Sequence, residues 1–254
     1  MRPIAVLMSA TLVAAVLGGP AAATGTRAPT GSITVSAASS LTEAFTALGR
    51  RFERRHPKTT FTLNVGSSSA LAGQIRAGAP VDVYAAADVA AMDELRAPTR
   101  LVTTPRSFAR NRMEIAVKPG NPEGVTSVRD LADAGTVALC GASVPCGVYA
   151  ADVLTRAGVT IPDSDVTRGA DAKATIGAVA HGDADAAIVY ATDVAAAGDT
   201  VDGVTIPDEH NVVALYPIAT LADASNPRLA KRFVEFVVSR TGQRILARHG
   251  FLPA

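Results

Sequence analysis

The chain has 254 residues, 48% apolar and 19% charged, enough for one large domain or two modest ones and unlike a disordered or coiled-coil chain. Twenty-four Lys and Arg against 23 Asp and Glu leave +1, which gives no electrostatic footprint for nucleic acid or an anionic membrane. Seven Phe, four Tyr and no Trp are too few for a base-stacking platform or a Trp-walled sugar site, so a small solute is the expected partner.

In chain order, residues 1–23 read as a secretory signal: Arg2, an uncharged apolar run over 4–17, then Ala21-Ala22-Ala23 as a small-x-small cleavage site. The run is shorter than the ~18 apolar residues of a spanning helix. No cysteine follows it for diacylglyceryl anchoring. Residues 24–31 form a short leader. Ile33-Thr34-Val35 begins a strand that runs into Ser39-Ser40, after which Leu41, Phe45, Leu48 and Phe52 recur at helical spacing. Ser40 and Glu43 have the spacing of a capping box opening that helix. A second strand, 61–65, breaks at Gly66-Ser67-Ser68-Ser69, and a helix carrying Leu71 and Ile75 ends at Gly78.

Further strands are expected at 81–85, 113–117, 137–140, 186–190 and 212–217, with a Gly/Pro turn at 144–149 before a helix over 150–157. Strands interleaved with helices predict α/β architecture with mostly parallel sheets. Two polar, turn-like runs, 105–111 and 207–211, lie about a hundred residues apart and are candidate crossovers between two lobes. The expected division is 32–110 plus 209–254 for the first lobe and 111–208 for the second.

Both serine clusters place hydroxyls and free N–H groups at a helix start, beyond the carboxyl end of a strand. Open α/β sheets bind ligands there, and the helix dipole favours an anion. The competing reading is that each serine only caps its helix. Two such sites in consecutive strand–helix units favour the anion. Cys140 and Cys146 are the only cysteines; an exported, oxidising setting favours a disulfide over a thiol nucleophile served by His181 or His210. GxGxxG, Walker, HExxH, CxxC and GxSxG patterns are absent, and the four histidines are scattered, which argues against a transition-metal cation site. Asp183 and Asp185 read as solvated loop charges.

Three stretches, Ile33-Thr34-Val35-Ser36-Ala37-Ala38-Ser39-Ser40-Leu41, Gly66-Ser67-Ser68-Ser69-Ala70-Leu71-Ala72-Gly73-Gln74-Ile75 and Gly78-Ala79-Pro80-Val81-Asp82-Val83, resemble the periplasmic molybdate-binding proteins of ABC transporters. Val144-Pro145-Cys146-Gly147-Val148-Tyr149-Ala150, Ile188-Val189-Tyr190, Tyr216-Pro217 and the tail from Gly242 to Phe251 match in order. The resemblance covers about 33–251. It implies two α/β lobes joined by two crossovers, with an oxyanion between them. It further implies hydroxyl ligands from Ser40 and Ser68 of the first lobe and Tyr190 of the second, and backbone amides from Cys146 and Ala172. Ser39, Ser67 and Ser69 flank these as supporting residues.

Ser39, Ala70, Cys146 and Ala172 depart from the commonest family pattern, and they bear on specificity. A tetrahedral dianion stripped of water needs donors aimed at every oxygen; neutral N–H and O–H groups supply them without a fixed countercharge. The expectation is thus an exported, non-enzymatic monomer at the periplasmic or extracellular face of the envelope. It would capture molybdate or tungstate for an ABC permease, with no cofactor, no nucleic acid and no membrane insertion. The rivals are a binder of sulfate or another tetrahedral oxyanion, and a secreted thiol hydrolase using Cys146.

Overall fold

The computed structural model describes residues 30–96 and 100–254. The expected signal and most of the leader lie outside the described residues. The first strand, β1 (Gly31–Ala38), already includes the last residue assigned to that leader.

Among the described residues, eight strands form one continuous path of pairings, β2-β1-β3-β9-β4-β7-β5-β6, and a ninth, β8, pairs with β4 off that path. Their ranges are β2 (Thr59–Gly66), β3 (Val83–Ala85), β4 (Arg106–Val117), β5 (Val137–Cys140), β6 (Val166–Gly169), β7 (Ala186–Tyr190), β8 (Asp202–Thr205) and β9 (Val213–Thr220). At the two ends the strands run parallel: β1 with β2 and β3, β5 with β6 and β7. The middle is antiparallel, because β4 and β9 traverse it and pair with each other and with β3, β7 and β8. The sheet is therefore mixed rather than mostly parallel.

β4 explains that geometry. Residues 106–112 pair with β9, and residues 113–117 pair with β7 and β8. One twelve-residue strand thus serves two sheet sections, so its polar first half is strand rather than turn. The other polar run, 207–211, stays a loop, and Asn211 ties it to β4: its Oδ1 accepts from Met113 N–H at 3.0 Å, and its Nδ2 donates to the Met113 carbonyl at 2.9 Å.

Central strands are buried on both faces, which their near-continuous apolar sequence requires. In β7, Ala186, Ile188 and Tyr190 join the large core, while Ala187 and Val189 pack under helices on the other side, as a period of two dictates. Those helices are α5 (Ala172–Ala180) and α6 (Ala191–Ala197). On the first section, α1 (Thr42–Arg55) buries Ala44, Phe45, Leu48 and Phe52 and leaves Arg50, Arg51, Arg54 and Arg55 to solvent. Phe45 and Phe52 meet Phe233 of α7 (Pro227–Val237) edge to face, at 6.1 and 5.3 Å between centroids. α2 (Ser68–Arg76) and α3 (Val89–Asp93) cover the opposite face, and α8 (Arg240–Arg248) closes the chain.

Three local expectations are corrected. Ser40 and Glu43 form no capping box: Ser39–Leu41 is a 3-10 turn, α1 starts without a side-chain cap, and Glu43 instead pairs with Lys173 at 2.9 Å. The supposed Gly/Pro turn is the first turn of α4 (Pro145–Ala157), with Pro145 at the first helical position, where its missing N–H costs nothing. Asp185 is a structural acceptor rather than a solvated charge, bonded to Thr136 N–H at 2.8 Å and Lys118 Nζ at 2.7 Å. Those two donors hold its carboxyl below the usual range.

Candidate functional site

Four helix starts and one strand end converge on a small cavity lined by Ser39, Ser40, Ser67, Ser68, Cys146, Asp171, Ala172 and Tyr190 among others. All five residues expected to bind the oxyanion are in that lining, and they come from both sheet sections. Of the three supporting residues, Ser39 and Ser67 line it and Ser69 does not.

The first wall is built after β1 and β2. Ser40 is held in the 3-10 turn, with its Oγ 2.9 Å from the Oη of Tyr216 on β9. Ser68 opens α2, and its Oγ accepts a hydrogen bond from Ala87 N–H at 2.9 Å. Tyr84 Oη–H steadies the same residue by donating to its carbonyl at 2.7 Å. The cap of α2 is Ser67, whose Oγ accepts from Ala70 N–H at 3.3 Å. Ser68 is therefore no cap, which leaves its hydroxyl proton free for the cavity. Neither Tyr84 nor Ala87 stood out in sequence: Ala87 acts through its backbone N–H, which has no side-chain signature, and Tyr84 lies 16 residues from the Ser68 carbonyl it braces.

The second wall is built after β5, β6 and β7. Cys146 and Ala172 sit in the first turns of α4 and α5, where backbone N–H groups have no acceptor within their own helix. The start of α4 is pressed against the end of β5: a Cβ on Gly147 would stand 2.0 Å from the Gly141 carbonyl oxygen. Glycine is what permits that approach. Cys146 is bonded to Cys140, the last residue of β5, and no cysteine is free. This removes the thiol-hydrolase reading, since its nucleophile is spent in a disulfide. Asp171 faces the cavity, but its Oδ1 accepts from Ala174 N–H at 3.0 Å as the cap of α5.

Tyr190 closes the wall. It is 1% exposed, and its Oη is buried with no hydrogen-bond partner among the described residues. Burial pushes its pKa well above the ordinary phenol value, so it remains a neutral donor. An orphaned buried hydroxyl costs about 1–3 kcal/mol, and a ligand accepting from it would relieve that cost. Lys173, next to Ala172 in the chain, is occupied twice, by Glu43 at 2.9 Å and Asp193 at 3.6 Å. The site offers neutral donors without a free positive charge in its lining.

Comparison with known proteins gives the family and the fold. Residues 33–252 match the family model described as bacterial extracellular solute-binding protein. A molybdate-binding protein, ModA, of Mycobacterium bovis is 36% identical over 251 residues, covering 96% of this chain and 95% of that one. Among solved structures, the periplasmic molybdate-binding protein of Azotobacter vinelandii superposes with a TM-score of 0.79 at 18% identity, over 87% of this chain and 99% of that one. The sulfate-binding protein SubI of Mycobacterium tuberculosis gives the same TM-score and identity over 88% of this chain and 87% of that one, so both show the fold alone. With the family model spanning nearly all the described residues, the chain belongs to the bacterial extracellular solute-binding proteins.

Proposed function

We propose that this protein captures molybdate, with tungstate as an alternative ligand, and delivers it to an ABC permease from the outer side of the cell membrane. One observation carries the reading: Ser40, Ser68, Tyr190 and the amides of Cys146 and Ala172 surround one small cavity, and Tyr190 Oη has no partner among the described residues. Five neutral donors suit a tetrahedral oxyanion, which accepts at every oxygen and has no proton to give. The 36% identity to a molybdate-binding protein supports molybdate over other tetrahedral anions.

The division into lobes follows from the same site. Residues 32–110 with 209–254 would move against 111–208 about β4 and the 207–211 loop, so that the anion enters an open cleft and is dried by closure. The working unit is a monomer. Calorimetric titration of the purified protein with molybdate, tungstate, sulfate and phosphate tests the solute. Tight binding of molybdate and tungstate with weak sulfate is expected, and preference for sulfate or phosphate overturns it. Small-angle scattering should show a smaller radius of gyration on adding molybdate; an unchanged profile at saturation overturns closure.

A further inference from the structure

Behind Ser40 lies a chain of buried polar groups, Asn111 and Tyr216, that is not part of the cavity lining. Asn111, on β4, is 1% exposed. Its Oδ1 accepts from Arg112 N–H at 3.0 Å, which fixes the orientation of the amide. Its Nδ2 then donates both protons, to Thr192 Oγ1 of α6 at 2.7 Å and to Tyr216 Oη at 3.3 Å. Tyr216 is itself fully buried, and its Oη reaches only Asn111 and Ser40 among the described residues. Since it accepts from Asn111, its own proton has one acceptor, Ser40 Oγ. The reverse arrangement, Ser40 donating to Tyr216, would leave the buried phenol proton without a partner, and that is costly. With its back lone pair filled, Ser40 turns its proton to the cavity. Ser68, filled from behind by Ala87 N–H, does the same.

We infer that Asn111 and Tyr216 are positioning residues: the relay from Asn111 Nδ2–H through Tyr216 Oη–H locks Ser40 as a donor and biases the cavity toward fully deprotonated oxyanions. The inference rests on the oxyanion reading above but not on the choice of molybdate. An anion that carries a proton, such as hydrogen phosphate, needs an acceptor, and a locked serine refuses it. Asn111 also joins the two walls, because Thr192 belongs to the helix that follows Tyr190. The relay is thus complete only when the second wall stands against the first.

The test is a double-mutant cycle on affinity, using Ser40→Ala and Tyr216→Phe, with melting curves to confirm that each variant folds. Tyr216→Phe alone should weaken molybdate by about 3- to 10-fold, the worth of one neutral hydrogen bond. In the Ser40→Ala background the same change should cost less than about twofold, because Tyr216 acts through Ser40. Tyr216→Phe should also narrow the preference for molybdate over phosphate, since a freed Ser40 can turn to accept. Asn111→Ala should give the same two signatures and serves if Tyr216→Phe does not fold. Equal losses in both backgrounds, or equal weakening of molybdate and phosphate, would assign the two residues a merely structural role and overturn the relay. If the native protein prefers sulfate, the choice of solute fails, and the cycle run with sulfate still tests the relay.

Discussion

The two walls of the cavity offer the same kind of group in opposite states. On the first, each serine hydroxyl is engaged from behind, Ser40 by Tyr216 and Ser68 by Ala87 N–H, so its donor direction is set before any ligand arrives. On the second, Tyr190 Oη has no partner, and the amides of Cys146 and Ala172 sit at helix starts with nothing to bond inside their helices. The first wall is a preset template; the second is held in want of a ligand. A cleft built this way gains little from keeping its walls together when empty and much when an anion satisfies both, which is what capture and release require.

The sharpest way to break this contrast is to remove one hydroxyl from each wall. Ser68→Ala and Tyr190→Phe should each weaken molybdate by roughly 10- to 150-fold, because each deletes a hydrogen bond to a charged acceptor in a dry site. Their effects on the unliganded protein should have opposite signs. Ser68→Ala strands the buried Ala87 N–H and should lower stability by about 1–3 kcal/mol. Tyr190→Phe deletes a polar atom that was never satisfied and should raise stability by about 1 kcal/mol. Melting curves without ligand, beside calorimetry with it, decide the matter; two losses of stability would mean that the walls do not differ.

The disulfide comes next in size. Replacing Cys140 and Cys146 together by Ala should lower stability by roughly 2 kcal/mol, the chain-entropy worth of so short a loop. Affinity should fall by less than about tenfold, since the Cys146 amide is backbone and Gly147 still seats α4 against Gly141. A total loss of binding would show that the second wall depends on the cross-link rather than on helix packing.

The site was legible in sequence where it uses a local signature. Serines between a strand and a helix mark a helix start, whereas Tyr190, Cys146 and Ala172 were named as ligands only through the family resemblance, since a strand-end tyrosine reads equally well as core. The serine helix starts made the physics of the anion readable before the fold. What could not be read is everything held by distant partners. Tyr216 is 176 residues from Ser40, and Asn111 is 105 from Tyr216. Local spacing made Ser40 and Glu43 a capping box, but tertiary contacts with Tyr216 and Lys173 claimed both side chains. The two polar runs were legible, yet their character differs because 106–112 found a strand partner in β9 and 207–211 did not.

Asp193 sharpens the picture of the second wall. It is fully buried in α6, both carboxylate oxygens lack a hydrogen bond among the described residues, and Lys173 stands 3.6 Å away. Burial, only partly offset by Lys173 and reinforced by the nearby Glu43 and Asp171, pushes its pKa up to about 7. The folded state then holds a proton that the unfolded chain has lost, so this group's contribution to stability falls as pH rises from about 4 to 7. Asp193→Asn should match the native protein below pH ~4 and exceed it above pH ~7 by about 1–2 kcal/mol. Melting temperature followed across that range is the check, and parallel curves for the two proteins would sink the assignment.

The smallest effect tests whether a serine in the cavity must be a ligand. Ser67 lines the cavity beside Ser68, yet its Oγ is committed to Ala70 N–H as the cap of α2. Ser67→Ala should therefore cost about 1 kcal/mol of stability, the usual loss for a helix cap. Molybdate affinity should stay within about threefold, because Ser68 keeps its bond from Ala87 N–H and its aim. The same substitution one residue later is expected to cost at least tenfold in affinity. If the two variants lost affinity alike, the first wall would act as a pooled hydroxyl surface rather than as a template with one aimed donor on each helix start. A full loss at Ser67 with Ser68→Ala silent would exchange cap and ligand, and the bond between Ala87 and Ser68 would then be structural only.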